Sequence, residues 1–388
     1  MLEKNSSIQF VDRQTDEITV YESEQYVCLM KLFPMCWHDD IIPEDDYRRF
    51  HLRFYIPREY FNDARKKIDR ILVMTNGLDE FNDYQLYDQL GGRFASLGFP
   101  AVLLPLPDHL NRHIRYRLKE PDAKQIKAKP SGELLENPTV LYDRFLQVKE
   151  ELAQLRRHIH WETLEDTCRD PKSPCSFYAH LFKRTVRVSY LGYSLGGATM
   201  LCDFLESEKS LNACFLLNPA INLPSVSGRM MFRQQWESFI RELKRIIRDY
   251  PSRDRLFEEI LMGQYIEQTP ELLQEHGHRL LFIFGGSDNF TSYKNSEVIM
   301  PEQWGSGMLI LPGIKHIFAQ NEEWKKWNTL TVKLISDFEE NAARRVITRE
   351  ELIKIGKEGV CGISEDELRE RNEVLWRASL LQMLEFMA

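Results

Sequence analysis

The sequence lacks most of the features that would place a chain quickly. No apolar run approaches the length of a membrane-spanning helix, and the start, Met1-Leu2-Glu3-Lys4-Asn5-Ser6-Ser7-Ile8, has no apolar signal core. A soluble, cytoplasmic protein is therefore expected, with membrane contact not anticipated. Positive charge is not in surplus: 51 basic residues stand against 59 acidic ones. That balance does not suit a basic nucleic-acid-binding stripe, so no nucleic-acid partner is expected. The seven cysteines are an odd number with no Cys-x-x-Cys spacing, which favours reduced thiols over a disulfide framework. There is no Gly-x-Gly-x-x-Gly, and Gly192 and Gly197 share the outer spacing of a phosphate loop without the Lys that must follow. His158-Ile159-His160 and His276-Gly277-His278 are spaced i, i+2, which on a helix sends the two rings to different faces. Neither metal nor nucleotide is expected, and no cofactor is implied.

What the chain does have is Val186-Arg187-Val188-Ser189-Tyr190-Leu191-Gly192-Tyr193-Ser194-Leu195-Gly196-Gly197-Ala198. A β-branched run breaks into Gly-x-Ser-x-Gly and continues in helix-compatible residues, as a nucleophile elbow does. A serine at the tip of so sharp a turn needs small neighbours two residues to either side, and Gly192 and Gly196 supply them. The turn lifts Ser194 Oγ clear of the sheet and sets the Leu195 amide at a helix N-terminus, pointing at whatever Ser194 attacks.

Two partners follow in chain order. The apolar run Arg279 to Phe284 ends in Gly285-Gly286-Ser287-Asp288, which puts Asp288 just beyond the carboxyl end of a buried strand. Met308 to Leu311 is a second short strand, and Pro312-Gly313 turns the chain so that His316 falls on the loop beyond it. In this arrangement His316 takes the Ser194 proton and Asp288 fixes the imidazole tautomer. Earlier, Ile71-Leu72-Val73-Met74 runs into Thr75-Asn76-Gly77-Leu78. The Leu78 amide is the second oxyanion donor expected beside that of Leu195, with Gly77 and Asp79 as alternatives. Asn76 and Tyr193, which flank these donors, are assigned to substrate binding.

On these residues the chain resembles the α/β-hydrolase family over about residues 45 to 340. The landmarks are the strand ending Asn76-Gly77, the strand Pro100 to Pro105, the Gly192 to Gly196 elbow, the Gly285 to Asp288 turn and the His316 loop. The resemblance implies Ser194 as nucleophile, His316 as base and Asp288 as the triad acid. The implied activity is ester hydrolysis through an acyl-enzyme on a small-molecule acyl ester. Thioesterase, amidase and acyltransferase chemistry would use the same residues, and a ligand-binding protein on a hydrolase scaffold is a further alternative.

The pattern along the chain implies an α/β fold, a doubly wound and mostly parallel sheet, with a helical cap insertion and a C-terminal helical extension. Residues 1–60 read as antiparallel lead-in strands, 61–224 and 278–342 as two parts of the core, 225–277 as the cap and 343–388 as the extension. A helix is expected over Tyr84 to Leu97, with later strands at Thr185 to Leu191 and Ala213 to Pro219. The segment Asp108 to Gly132 carries Arg112 and many other basic residues, reading as a solvated loop or as an anion contact for substrate. In the cap, Phe232, Trp236, Phe239, Ile240, Leu243, Ile246 and Ile247 make one apolar helical face. Packing on its own domain competes there with an acyl-selecting role for Trp236 and Phe239. Thr348-x-x-Glu351 and Ser364-x-x-Glu367 are capping boxes that open two C-terminal helices. Those helices are expected to dock on the same chain, with a homodimer contact as the alternative.

Overall fold

In a computed structural model, the residues described are 19–22, 25–34, 49–63, 65–77, 84–107, 109–110, 138–160, 176–207, 211–223, 233–249, 259–260, 269–288, 291, 306–311, 313–316, 324, 328–329, 331–336 and 338–339. The basic segment after Leu110, including Arg112, lies outside them, as do Leu78 and the C-terminal extension.

The chain opens on three antiparallel strands, β1 (Thr19–Glu22), β2 (Tyr26–Pro34) and β3 (Arg49–Pro57), with the registers Thr19↔Met30 and Cys28↔Tyr55. Then follow the short helix α1 (Glu59–Asn62), β4 (Ile68–Thr75), α2 (Gln85–Ser96) and β5 (Ala101–Leu104). Next come α3 (Pro138–Ile159), α4 (Ser176–Leu181), β6 (Phe182–Tyr193) and α5 (Leu195–Glu206). The remaining elements are β7 (Leu211–Leu217), α6 (Arg233–Asp249), α7 (Thr269–His276), β8 (Leu280–Gly285) and β9 (Gly307–Leu311).

The chain divides into two compact units, with the boundary inside β6 after Ser189. In the first unit the strands hydrogen-bond in the order β1-β2-β3-β5-β4-β6. β3 meets β5 antiparallel, and β4 meets β5 parallel. Because β5 lies on one side of β4 and β6 on the other, the strand order reverses at β4, and β4 is buried from Ile71 to Met74. Helix α2 packs on β3 and β5 through its own glycines: a Cβ on Gly91 would come within 2.4 Å of the Tyr55 ring. Tyr55 in turn donates to Asp88 at 2.7 Å, and Arg53 pairs with the same carboxylate at 3.2 Å, so the one charged group on the buried side of α2 is satisfied.

In the second unit the order is β6-β7-β8-β9, with parallel pairing of β7 to β8 (Cys214↔Leu280) and of β8 to β9 (Phe284↔Ile310). Parallel strands covered on both faces need continuous apolar sequence, and β7 and β8 are of that kind: Ala213 to Leu217 and Leu280 to Phe284 are buried throughout. Helix α5 follows β6 directly, packs on β7 and is buried from Gly196 to Leu205. Helix α6 is amphipathic as its sequence requires, with Phe239, Ile240, Leu243 and Ile246 buried and Glu237, Arg241, Lys244 and Arg248 exposed. The turn Asn76–Gly77, which leaves β4, clusters with this second unit. No helix among the described residues is long and apolar enough to cross a membrane.

Candidate active site

The site is assembled from residues that follow the carboxyl ends of strands: Asn76 after β4, Ser194 after β6, Asn218 after β7, Asp288 after β8 and His316 after β9. That is where open α/β sheets place their ligands, since the helices that follow turn away and leave a crevice.

Ser194 sits at φ 51°, ψ −117°, a backbone conformation that residues with a side chain rarely adopt. Three hydrogen bonds hold it there. Its N–H donates to the Leu217 carbonyl at 2.9 Å, while its own carbonyl accepts from Ala198 N–H at 3.2 Å and Ala220 N–H at 2.8 Å. The turn is tight enough that a Cβ on Gly192 would lie 2.5 Å from the Gly197 Cα, and one on Gly197 would lie 3.0 Å from the Pro219 Cβ. The close approach of strand and helix therefore involves Gly197 together with Gly192, where the spacing alone points to Gly192 and Gly196. As the first residue of α5, Leu195 has no carbonyl one turn earlier to receive its N–H.

Ser194 Oγ lies 3.2 Å from His316 Nε2, and His316 Nδ1 lies 2.9 Å from Asp288 Oδ2. The Asp288 side chain is fully buried, whereas the His316 side chain keeps 19% of its surface exposed, so the imidazole is open on one side. In the tautomer with its proton on Nδ1, the carboxylate accepts that proton and the Nε2 lone pair faces the serine hydroxyl. Gly77 closes the other side of the serine: a Cβ there would meet the Tyr193 ring at 2.9 Å and the Ser194 Cβ at 3.1 Å. Only glycine lets the turn after β4 come this near to Ser194. Asn76 is buried and donates its side-chain amide to the Gly77 carbonyl at 2.8 Å, bracing the turn from within.

Tyr193 is also drawn into the site, through its hydroxyl, which donates to the His316 carbonyl at 2.7 Å, and through its ring, which lies against the imidazole with centroids 5.6 Å apart. Two further residues belong to this cluster and are not singled out by the sequence reading. Asn218, fully buried with φ 42°, donates its side-chain N–H to the same His316 carbonyl at 3.2 Å and accepts Gly285 N–H on Oδ1 at 2.7 Å. Asparagine tolerates positive φ better than most residues and carries both a donor and an acceptor, so one side chain ties the ends of β7 and β8 to the His316 loop. Thr291 places its hydroxyl 2.8 Å from Asp288 Oδ2, 3.0 Å from the Asn218 carbonyl and 3.2 Å from His316 Nδ1. The signals that were present are the Asn-Pro pair closing an apolar strand and the Asp-x-x-Thr spacing after β8.

Of the other residues assigned to the site, Phe239 lies buried on α6, Trp236 lies on the same helix, and Arg112 and Leu78 lie outside the described residues. Cys28, Cys202 and Cys214 are buried and form no disulfide among the described residues. Burial pushes the Cys28 thiol up to about 11 and, with the nearby Asp203 carboxylate, raises Cys214 well above the ordinary thiol range. Both stay protonated at neutral pH and are poor nucleophiles. Among the described residues no group of three or more His, Cys, Asp or Glu side chains is arranged to hold a metal ion.

The strand order, the parallel pairing at the site and the positive-φ serine between β6 and α5 define an α/β-hydrolase fold. Solved structures that resemble it include Est1E from Butyrivibrio proteoclasticus, at 11% identity and TM-score 0.43 over 76% of this chain and 95% of that one. Others are an S-formylglutathione hydrolase from Agrobacterium tumefaciens, at 14% identity and TM-score 0.43 over 80% and 98%, and acetyl xylan esterase 1 from Thermoanaerobacterium sp. JW/SL YS485, at 13% identity and TM-score 0.38 over 78% and 83%. No protein-family model matches the sequence, and no curated protein matches it.

Proposed function

We propose that this protein hydrolyses carboxylic esters of small molecules through an acyl-enzyme on Ser194. The observation that carries the reading is the unbroken chain from Ser194 Oγ to His316 Nε2 at 3.2 Å and from His316 Nδ1 to Asp288 Oδ2 at 2.9 Å. His316 takes the serine proton as Oγ attacks the ester carbonyl, and Asp288 stabilises the imidazolium that results. Charge developing on the carbonyl oxygen is received by the Leu195 amide and by the turn after Gly77, where Leu78 is the assigned donor. His316 then protonates the leaving alkoxide, and a water activated by the same imidazole releases the acid.

Substrate contacts are assigned to Asn76 and Tyr193 beside the oxyanion, to Trp236 and Phe239 on α6 for the acyl chain, and to Arg112 for a negatively charged substrate group. The buried cysteines, in no disulfide among the described residues, agree with a reducing, cytoplasmic setting.

Labelling with a fluorophosphonate probe, followed by hydrolysis of p-nitrophenyl esters of increasing acyl length, tests the reading. The wild-type protein should be labelled at Ser194, found by peptide mapping, and should release p-nitrophenol. Ser194→Ala should lose both properties while keeping the wild-type circular dichroism spectrum. Labelling at another residue, or undiminished turnover in that variant, would overturn the proposal.

A further inference from the structure

We propose that Thr291 is a positioning residue for the base, acting through its hydroxyl on both His316 and Asp288; this rests on the roles assigned above to Ser194, His316 and Asp288. Thr291 Oγ1, Asp288 Oδ2 and His316 Nδ1 form a closed triangle with sides of 2.8, 2.9 and 3.2 Å. A hydroxyl has one proton to give and two lone pairs to receive. The carboxylate is both its nearest acceptor and the charged one, ahead of the Asn218 carbonyl at 3.0 Å, so the proton goes to Asp288 Oδ2. A lone pair of Oγ1 is then turned toward His316 Nδ1, whose N–H is shared between the carboxylate and the hydroxyl.

Three consequences follow from that arrangement. The carboxylate oxygen facing the imidazole is held from a second direction, which keeps it in the ring plane. The Nδ1–H gains a second acceptor, which favours the tautomer with Nε2 bare and supports the imidazolium formed when Ser194 is deprotonated. The cluster is also sealed: Thr291 is buried, and its backbone N–H donates to Asp288 Oδ1 at 3.3 Å, so both carboxylate oxygens are engaged by one residue. Ser194 Oγ and the Asp288 carboxylate also meet the ring nitrogens, the Tyr193 ring lies against the imidazole, and Tyr193 and Asn218 hold the backbone carbonyl of His316 through their side chains.

Valine and serine at position 291 separate hydroxyl from packing, because valine keeps the shape without the hydroxyl and serine keeps the hydroxyl without the methyl. In the full chain, Thr291→Val should lower kcat on p-nitrophenyl acetate by about ten- to a hundredfold, the size of one charge-assisted hydrogen bond. KM should stay within about twofold, since no ground-state contact to substrate is removed. Thr291→Ser should recover most of the lost kcat, and both variants should unfold at temperatures close to wild type. A second readout needs no turnover: the downfield NMR resonance of the His316 Nδ1 proton should shift in Thr291→Val and return toward its wild-type position in Thr291→Ser. Wild-type kcat in Thr291→Val, equal losses in the valine and serine variants, or an unmoved Nδ1 resonance would each overturn the proposal. A wild-type protein that is neither labelled at Ser194 nor active would instead overturn the esterase reading, and the resonance would still decide the role of Thr291.

Discussion

Asp288 offers the sharpest test at the scale of single residues, because its whole side chain is buried and its Oδ2 faces the imidazole. Asp288→Asn keeps the shape but presents an amide whose N–H, turned toward Nδ1, selects the tautomer with the proton on Nε2. The imidazole then offers no lone pair to Ser194. If Asp288 has the proposed role, steady-state hydrolysis should fall by about 10⁴-fold. A loss below about tenfold would assign the orienting role to another carboxylate. Asp288 and His316 are legible in the sequence because each lies just past a short apolar run, where strand ends are easy to place. Asn218 and Thr291 are not. They act across 98 and 25 residues of chain on His316, and hydrogen bonds at such separations leave no periodicity to read.

At the scale of elements, the elbow makes a demand that two backbones share. Gly192→Ala would drive a methyl to within 2.5 Å of the Gly197 Cα and 2.7 Å of the Gly196 carbonyl, both main-chain atoms with no rotamer to move. The variant is expected to lose about 1–3 kcal/mol or more in chemical denaturation, and to lose probe labelling with it. Wild-type stability in Gly192→Ala would show that β6 and α5 can separate without harm. The strands around this turn follow the expected positions closely: the Ala213 to Pro219 run is Leu211–Leu217, and the Arg279 to Phe284 run is Leu280–Gly285. Continuous apolar runs bounded by glycine and proline have few other solutions. Helix α3 is different. Leu141, Phe145, Val148, Leu152, Leu155 and Ile159 repeat at four-three spacing and are all buried, yet the stripe is flanked by Gln147, Glu151 and Gln154, buried as well. Gln147 donates to Glu151 at 2.8 Å and Gln154 to Glu150 at 3.0 Å, so the polar atoms that blur the pattern in sequence find partners along the same helix.

For the whole molecule, the open question is what the segment carrying α6 contributes to substrate choice. Phe239 is 3% exposed and Leu243 fully buried, so part of the apolar face is core to its own unit. Phe239→Ala should lower stability by about 3–5 kcal/mol, as truncation of a buried aromatic does. Both Trp236→Ala and Phe239→Ala should also shift the acyl-length profile, weakening hydrolysis of long-chain esters more than acetate. Each buried methylene contributes about 0.8 kcal/mol, and an acetyl group is too short to gain from the same surface. Equal changes for acetate and long-chain esters in both variants would make α6 purely structural and leave selection to the basic segment around Arg112.

The backbone of Ser194 has one more effect, on heat resistance. At φ 51°, ψ −117° the residue occupies a region that glycine enters freely and that strains any residue bearing a Cβ, by about 1–3 kcal/mol. Ser194→Gly should therefore melt a few degrees above the wild type, while Ser194→Ala, which keeps the Cβ, should not. If the glycine variant melts no higher than the alanine variant, the three backbone hydrogen bonds at this turn hold it without strain. Otherwise, laboratory evolution for thermal tolerance with no screen for turnover would drift toward glycine at position 194, making the inactivating change a stabilising one.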